Sequence, residues 1–281
     1  MSGNILVFLG AVFWSLNSPL VKYLTLDPFL ICGLRSCIAG LVLAAVIRPK
    51  QLMWNGWMAV YVCSYAGLCL SIILALNSTS APIAIGMQYT ALIWLFLANL
   101  LKTRRFHMRT FVPVLIIIMG VVFFMCSGGD SATQTGNLMA LTEGVFFALM
   151  TVSAKKVAGS NPIGLTALAN LFTGLITALL FPASLAGIAV MTTLDWGIML
   201  VLGIVQVGAG YACYNAGIQR VSAQKASVIA LWEMILGPIW VALFLKEYPS
   251  PIVLTGFVII LAGMLLDALF SSGHTKRTLA E

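Results

Sequence analysis

The chain contains ten apolar runs, most of them about 20 residues long and joined by short polar loops. An α-helix of about 20 residues spans the bilayer core, because each residue adds about 1.5 Å along the helix axis. The sequence therefore predicts ten transmembrane helices, at about residues 3–24, 28–47, 54–76, 82–101, 110–126, 136–157, 163–182, 194–217, 222–245 and 251–271.

Composition excludes a soluble globular domain, because 61% of the residues are hydrophobic and only 8% are charged, with a mean hydropathy of +1.05. The loops are too short for a soluble catalytic domain. Neither a His-Glu-x-x-His nor a Gly-x-Ser-x-Gly motif occurs, and both histidines, His107 and His274, fall in predicted loop or tail. The sequence therefore indicates no enzyme, and we expect no cofactor.

The first half of the chain recurs in the second half, between 133 and 143 positions later. Matching pairs are Gly3 and Gly136, Lys22 and Lys155, Pro28 and Pro162, Ser80 and Ser222, and Gly120 and Gly263. A unit of five helices crosses the membrane an odd number of times, so its second copy must be inverted. We predict an all-α integral membrane protein of two inverted five-helix repeats, residues 1–127 and 136–271, with a linker at 128–135 and a tail at 272–281.

The basic residues predict the orientation. With the N-terminus in the cytoplasm, twelve of the fifteen Lys and Arg residues lie on the cytoplasmic side. The loop at 102–109 holds four basic residues, whereas its counterpart at Lys246-Glu247 is neutral, as inversion requires. The net charge of +7 is thus a topology signal, and a nucleic-acid partner is not expected. For a bacterial source, this predicts a multi-pass inner-membrane protein with cytoplasmic N- and C-termini.

Ionisable side chains inside a membrane need a partner or a water-filled cavity. Arg35 and Glu143 each lie about seven residues from a helix start on the same side of the membrane, about 10 Å deep. An ion pair between them is one interpretation. The other makes Arg35 a gate residue or a contact for a substrate carboxylate.

Glu233 lies near the membrane midplane, with no basic residue at the same depth. One interpretation is a protonated acid that bonds a neighbouring carbonyl or amide. The other is a site for a proton or for the ammonium group of a substrate.

Aromatic and amide side chains lie at similar depths. Trp14 and Trp232 are too deep for the headgroup belt that most membrane tryptophans form, so they pack or line a cavity. The segment Asn17-Ser18-Pro19 lacks one backbone donor, which predicts either a plain kink or a hinge with a ligand contact. Together these residues favour an amphipathic, partly aromatic solute, and the candidate cavity contacts are Trp14, Asn17, Gln88, Tyr89, Gln206, Tyr211, Tyr214, Trp232 and Glu233.

The chain resembles the EamA family of the drug/metabolite transporter superfamily over nearly its whole length. The resemblance rests on the aromatic first helix ending in Lys22, on Pro28 and Arg35 in the second, on Glu233, and on the Ser-Ala openings of helices four and nine. Within the family, the chain is most similar to the YddG-type exporters of aromatic and other amino acids.

That resemblance implies ten helices around a central cavity, lined by helices one to four and six to nine, and outward transport by alternating access. The chain departs from the family pattern where Met234, in place of a proline, follows Glu233. Helix four has Ala91-Leu92 at the equivalent site, so the sequence gives no signal for a backbone break there.

We therefore expect a secondary transporter that exports amino acids, aromatic or otherwise apolar. A broad-specificity drug or metabolite efflux protein of the same fold is the alternative. The expected partners are the small-molecule substrate and the lipid bilayer, with protons as an open choice of coupling ion; the sequence gives no oligomeric state.

Overall fold

The computed structural model describes residues 2–46, 52–127, 131–157, 159–218, 220–221 and 223–278. Within these residues, ten helices are long and apolar enough to cross a membrane, and no strand is present. This confirms the all-α membrane fold with ten spanning helices. We number the helices span 1 to span 10 along the chain.

The first five spans occupy these helices: Gly3–Ser15 and Asn17–Tyr23 in span 1, Pro28–Val46 in span 2, Gly56–Ser78 in span 3, Ala81–Gln88 and Ala91–Thr103 in span 4, and Met108–Met125 in span 5. The last five occupy Ser131–Lys156 in span 6, Pro162–Leu180 in span 7, Thr193–Leu200, Val201–Ala209 and Gly210–Ile218 in span 8, Ala223–Ala230 and Trp232–Leu245 in span 9, and Pro251–Thr278 in span 10. A 3₁₀ segment, Pro182–Val190, follows span 7, and Val201–Ala209 is a π-helix. The last helix extends into the segment that the sequence indicated as a polar tail.

Two of the helix starts carry side-chain caps. Asn161 accepts hydrogen bonds from the N–H groups of Ile163 and Gly164 at the start of span 7. Asp27 caps span 2 in the same way. Ser80 precedes span 4 but does not cap it, because its side-chain hydroxyl is buried and has no hydrogen-bond partner.

Span 1 is interrupted at Leu16, because Pro19 has no N–H to donate to the carbonyl of Ser15. At the break, the N–H of Leu16 bonds to the carbonyl of Phe13, three residues back rather than the four of an α-helix, at 3.2 Å. The Asn17-Ser18-Pro19 segment therefore begins a new helix, as the kink interpretation predicted.

Spans 4 and 9 are interrupted at equivalent places, although neither break holds a proline. In span 4, the N–H groups of Tyr89 and Thr90 bond to carbonyls three residues back, at 3.2 and 3.0 Å. In span 9, the N–H of Leu231 does the same at 3.3 Å. Tyr89 and Leu231 are 142 positions apart, the offset that also separates the Ser-Ala openings of these spans. The absence of a sequence signal for a break in span 4 was thus misleading.

Glycines let spans approach closely in three pairs, spans 1 and 8, spans 2 and 7, and spans 5 and 10. In each pair, a Cβ atom added to one glycine would come within 3.1 Å of the carbonyl oxygen of the other. The facing glycines are Gly10 and Gly210, Gly174 and Gly33, and Gly256 and Gly120. Spans 5 and 10 pack mainly on each other, which leaves the other spans to surround the centre.

Candidate functional site

A cavity of about 290 Å³ lies between spans 1, 2, 3, 4, 6, 8 and 9. Nine predicted site residues line it: Trp14, Asn17, Arg35, Gln88, Tyr89, Gln206, Tyr211, Tyr214 and Glu233. Span 7 contributes no lining residue in the described part of the chain, unlike the arrangement that the resemblance implied. In the same part, no group of three or more His, Cys, Asp or Glu residues is placed to hold a metal ion.

The aromatic wall of the cavity centres on Trp14. Its ring centroid lies 4.9 Å from that of Tyr211 in an edge-on contact and 4.7 Å from that of Tyr214. Gly210 makes this position possible, since a Cβ atom there would lie 2.7 Å from the indole Cδ1 of Trp14. The wall continues to Tyr65, whose ring lies 6.4 Å from Tyr211.

Tyr65 was missed by the sequence analysis, together with the apolar face of span 3 below it. Leu68, Cys69 and Ile72 follow Tyr65 at helical spacing and also line the cavity. Asn170 of span 7 donates from its side-chain amide to the Tyr65 hydroxyl at 2.8 Å. The spacing was visible in the sequence, but a uniformly apolar helix does not reveal which face meets the cavity.

Arg35 is buried, with 4% of its surface exposed, and its guanidinium group faces the cavity. Its Nη1 donates to the side-chain oxygen of Asn17, at the start of the second helix of span 1. The Nε–H of Arg35 has no hydrogen-bond partner. The break in span 1 thus places an amide that orients one guanidinium nitrogen and leaves another donor free for a ligand.

The predicted ion pair between Arg35 and Glu143 is not formed. Glu143 is fully buried, both of its carboxylate oxygens lack a hydrogen-bond partner, and it does not line the cavity. Span 6 packs on spans 3 and 4, whereas span 2 packs on spans 7 and 8. The two residues share a depth but face different neighbours, so matching depth was insufficient to predict a contact.

Glu233 lines the cavity from the first turn of the second helix of span 9. The N-terminal end of a helix carries a partial positive charge, which stabilises a carboxylate there. Glu233 lies within electrostatic range of the hydroxyl groups of Tyr89, Tyr211 and Tyr214. Glu233 and these three tyrosines thus supply an acidic group and three phenolic groups to the cavity lining.

Trp232, predicted to contact the substrate, lies outside the cavity. It is 44% exposed on the surface of span 9 and makes an edge-on contact with Phe8, with ring centroids 5.8 Å apart. Successive residues of a helix point about 100° apart, so the neighbour of an inward-facing Glu233 turns away from it.

The sequence pattern of the EamA-like transporter family matches this chain twice, at residues 1–126 and 134–267. An uncharacterized transporter of Clostridium kluyveri is 26% identical over 94% of this chain and 92% of its own length. The uncharacterized transporter YwfM of Bacillus subtilis is 25% identical over 100% of this chain and 98% of its own length. A biotin transporter of Escherichia coli is 23% identical over 64% of this chain and 62% of its own length.

A solved crystal structure of a protein has the same fold, with a TM-score of 0.64 over 95% of this chain and 97% of that chain, at 18% sequence identity. Both matches to the family pattern together cover most of the chain, and each falls on five of the ten spans. The protein is a multi-pass membrane protein, and it belongs to the EamA-like transporter family.

Proposed function

We propose that this protein is a secondary transporter that exports amino acids with apolar or aromatic side chains across the inner membrane. The observation that carries the proposal is the lining of the cavity, where one guanidinium group and one carboxylate share an aromatic wall. An amino acid has one anionic group, one cationic group and a side chain, and each finds a complementary surface in this lining. A phosphate substrate would be served better by several basic residues, and Arg35 is the one Lys or Arg residue among those lining the cavity.

Transport would proceed by alternating access, with the two halves rocking about the cavity. The repeat in the sequence and the matching breaks in spans 4 and 9 support two inverted halves. Breaks at the level of the cavity interrupt each helix where its two parts can tilt separately. The distribution of basic residues supports cytoplasmic N- and C-termini.

Transport is either coupled to protons or not coupled, and Glu233 is the residue through which proton coupling would run. If it does, Glu233→Gln abolishes the dependence of transport on pH, since an amide carries no titrating proton. An unchanged pH dependence in this variant would exclude Glu233 from coupling.

The alternative is a broad-specificity drug or metabolite efflux protein of the same fold. The aromatic wall suits flat apolar solutes, and Glu233 could attract a cationic dye. One relative is named a biotin transporter, so a metabolite other than an amino acid is a candidate solute.

Counterflow in proteoliposomes separates these functions. Vesicles holding the purified protein would be preloaded with unlabelled phenylalanine, tryptophan, methionine, threonine, biotin or a neutral drug, and uptake of labelled phenylalanine would be followed. We expect phenylalanine, tryptophan and methionine to accelerate uptake well above empty vesicles. Labelled biotin and the labelled drug would be followed in the same way. Uptake of either one accelerated by its own unlabelled form, with no acceleration of labelled phenylalanine by any amino acid, would replace the proposal by the corresponding alternative.

A further inference from the structure

One basic and one acidic side chain, on different spans, line the cavity among the described residues. Arg35 lies within electrostatic range of Cys69 on span 3. Glu233 lies within range of Tyr89 and Tyr214, on spans 4 and 8. Arg35 and Glu233 do not form a salt bridge; within the described residues the one such pair joins Lys22 and Glu247, elsewhere in the fold. Arg35 and Glu233 are therefore not paired with each other, and both line the cavity.

Three buried polar atoms of the lining have no partner, and one of them is the indole N–H of Trp14. The Nε–H of Arg35 is an unused donor, and the side-chain carbonyl Oε1 of Gln206 is an unused acceptor. Both residues are more than nine-tenths buried, with 4% and 7% of their surfaces exposed. A buried polar atom without a partner costs free energy, so a ligand that supplies the missing partner gains affinity.

Span 8 orders these groups along the cavity. Gly203 lies against the backbone of Arg35, since a Cβ atom there would be 3.1 Å from the Arg35 carbonyl oxygen. Gln206 follows within the π-helical segment, and Tyr211 and Tyr214, which are in range of Glu233, come after it. Along span 8, Gln206 thus lies between the residue that contacts the Arg35 backbone and the tyrosines that are in range of Glu233.

We infer that Arg35, oriented by Asn17, binds the carboxylate of the substrate, and that the Gln206 Oε1 atom and Glu233 bind its ammonium group. This assignment rests on the proposed transport of amino acids and specifies how the same cavity selects them. The aromatic side chain of the substrate then packs against Trp14 and Tyr211. A solute that lacks either charged group leaves one buried polar atom unpaired, so it is excluded more strongly than its size alone would require.

The test uses competition for counterflow of labelled phenylalanine by unlabelled phenylalanine, phenethylamine, which lacks the carboxylate, and 3-phenylpropanoate, which lacks the ammonium group. In the natural protein we expect each analogue to compete about tenfold more weakly than phenylalanine, or worse. Arg35→Met should remove most of the discrimination against phenethylamine and keep that against 3-phenylpropanoate. Glu233→Gln and Gln206→Met should remove most of the discrimination against 3-phenylpropanoate and keep that against phenethylamine. Gln134→Met, at an exposed position of span 6, is the matched control and should keep both ratios.

These readouts are ratios of competitors within one preparation, so they do not depend on the amount of active protein. If Arg35→Met does not fold, the assignment is tested by comparing Gln206→Met and Glu233→Gln with the natural protein. No counterflow of phenylalanine at all would overturn the proposed function and this assignment with it. Two results would overturn the assignment alone, provided that phenylalanine is still exchanged. In the first, the Gln206 and Glu233 variants keep the natural discrimination against both analogues. In the second, these variants lose discrimination against phenethylamine and keep that against 3-phenylpropanoate.

Discussion

The ammonium group of Lys22 lies 3.0 Å from a carboxylate oxygen of Glu247 and donates to the carbonyl of Thr79, also at 3.0 Å. Lys22 ends span 1, Thr79 follows span 3, and Glu247 follows span 9, so one side chain joins the ends of three spans. The hydroxyl of Thr79 donates in turn to the side-chain oxygen of Asn137 on span 6, at 2.6 Å. We call these four residues the Lys22 latch; their contacts link spans 1, 3, 6 and 9.

Removing the charge of Glu247 should loosen the Lys22 latch. Lys22 is 13% exposed and Glu247 is 38% exposed, so the ion pair contributes about 1 kcal/mol at most, which changes the ratio of closed to open molecules about fivefold. Spin labels at Tyr23 and Tyr248, both on the surface, would report the separation of spans 1 and 9 by electron double resonance. We expect Glu247→Gln to increase the population with the longer distance, as should high salt.

The neighbouring substitution Lys246→Gln is the matched control, because it removes a charge at an exposed position next to the latch. It should leave the distance distribution of the natural protein unchanged. Equal effects of Lys246→Gln and Glu247→Gln would show that any change in this loop, rather than loss of the Lys22 contact, sets the distance.

Two neighbouring residues of span 9 should differ in their effect on substrate recognition. Glu233 faces the cavity, whereas Trp232 packs on Phe8 at the surface. Trp232→Leu should therefore keep the competition ratios of phenylalanine and its analogues within about twofold, since surface substitutions usually change free energies by less than about 0.5 kcal/mol. If Trp232→Leu lost as much discrimination as Glu233→Gln, Trp232 would have to contact the substrate, which would contradict its position at the surface.

The ten spans could be predicted because length and apolarity alone identify a transmembrane helix. The side that each residue faces could not be predicted in the same way. Most helices of this chain are apolar all round, so they lack the polar stripe that would mark an inward face. Glu143 and Trp232 were misplaced for this reason, since their depth was readable but their direction was not.

The break in span 4 was missed for a different physical reason. It depends on N–H groups that bond three residues back and on the hydroxyl of Thr90, which donates to the Met87 carbonyl at 2.7 Å. Threonine often makes this kind of local bond without breaking a helix. The close approach of Gly144 on span 6, where a Cβ atom would lie 3.0 Å from the backbone nitrogen of Ala91, is a tertiary contact that no local pattern contains.

Pro19 should affect transport through Asn17 rather than through stability. Pro19→Ala supplies an N–H to the Ser15 carbonyl and allows span 1 to continue as one helix, which would rotate Asn17 away from Arg35. Loss of that charge-assisted bond should weaken phenylalanine binding about tenfold, measured as the half-saturating concentration in counterflow. The apparent melting temperature in detergent should stay equal or rise.

Pro113 provides the control for this substitution, since it lies inside the helix of span 5 and does not line the cavity. Pro113→Ala should leave the half-saturating concentration unchanged. If Pro19→Ala transports phenylalanine with natural affinity, the break in span 1 is not needed to orient Arg35.

The contact of spans 5 and 10 should carry stability without carrying substrate recognition. A Cβ atom at Gly120 would lie 2.7 Å from the carbonyl oxygen of Gly256 and 3.1 Å from the nitrogen of Ile260, both backbone atoms that cannot move alone. Gly120→Ala should therefore cost about 1–3 kcal/mol and lower the apparent melting temperature by several degrees.

Gly197→Ala is the control, because a Cβ atom there meets nothing within 4 Å and alanine favours the helix over glycine. Its melting temperature should be equal or higher, and both variants should keep the natural competition ratios. A melting temperature of Gly120→Ala no lower than that of Gly197→Ala would contradict the close packing of these two spans.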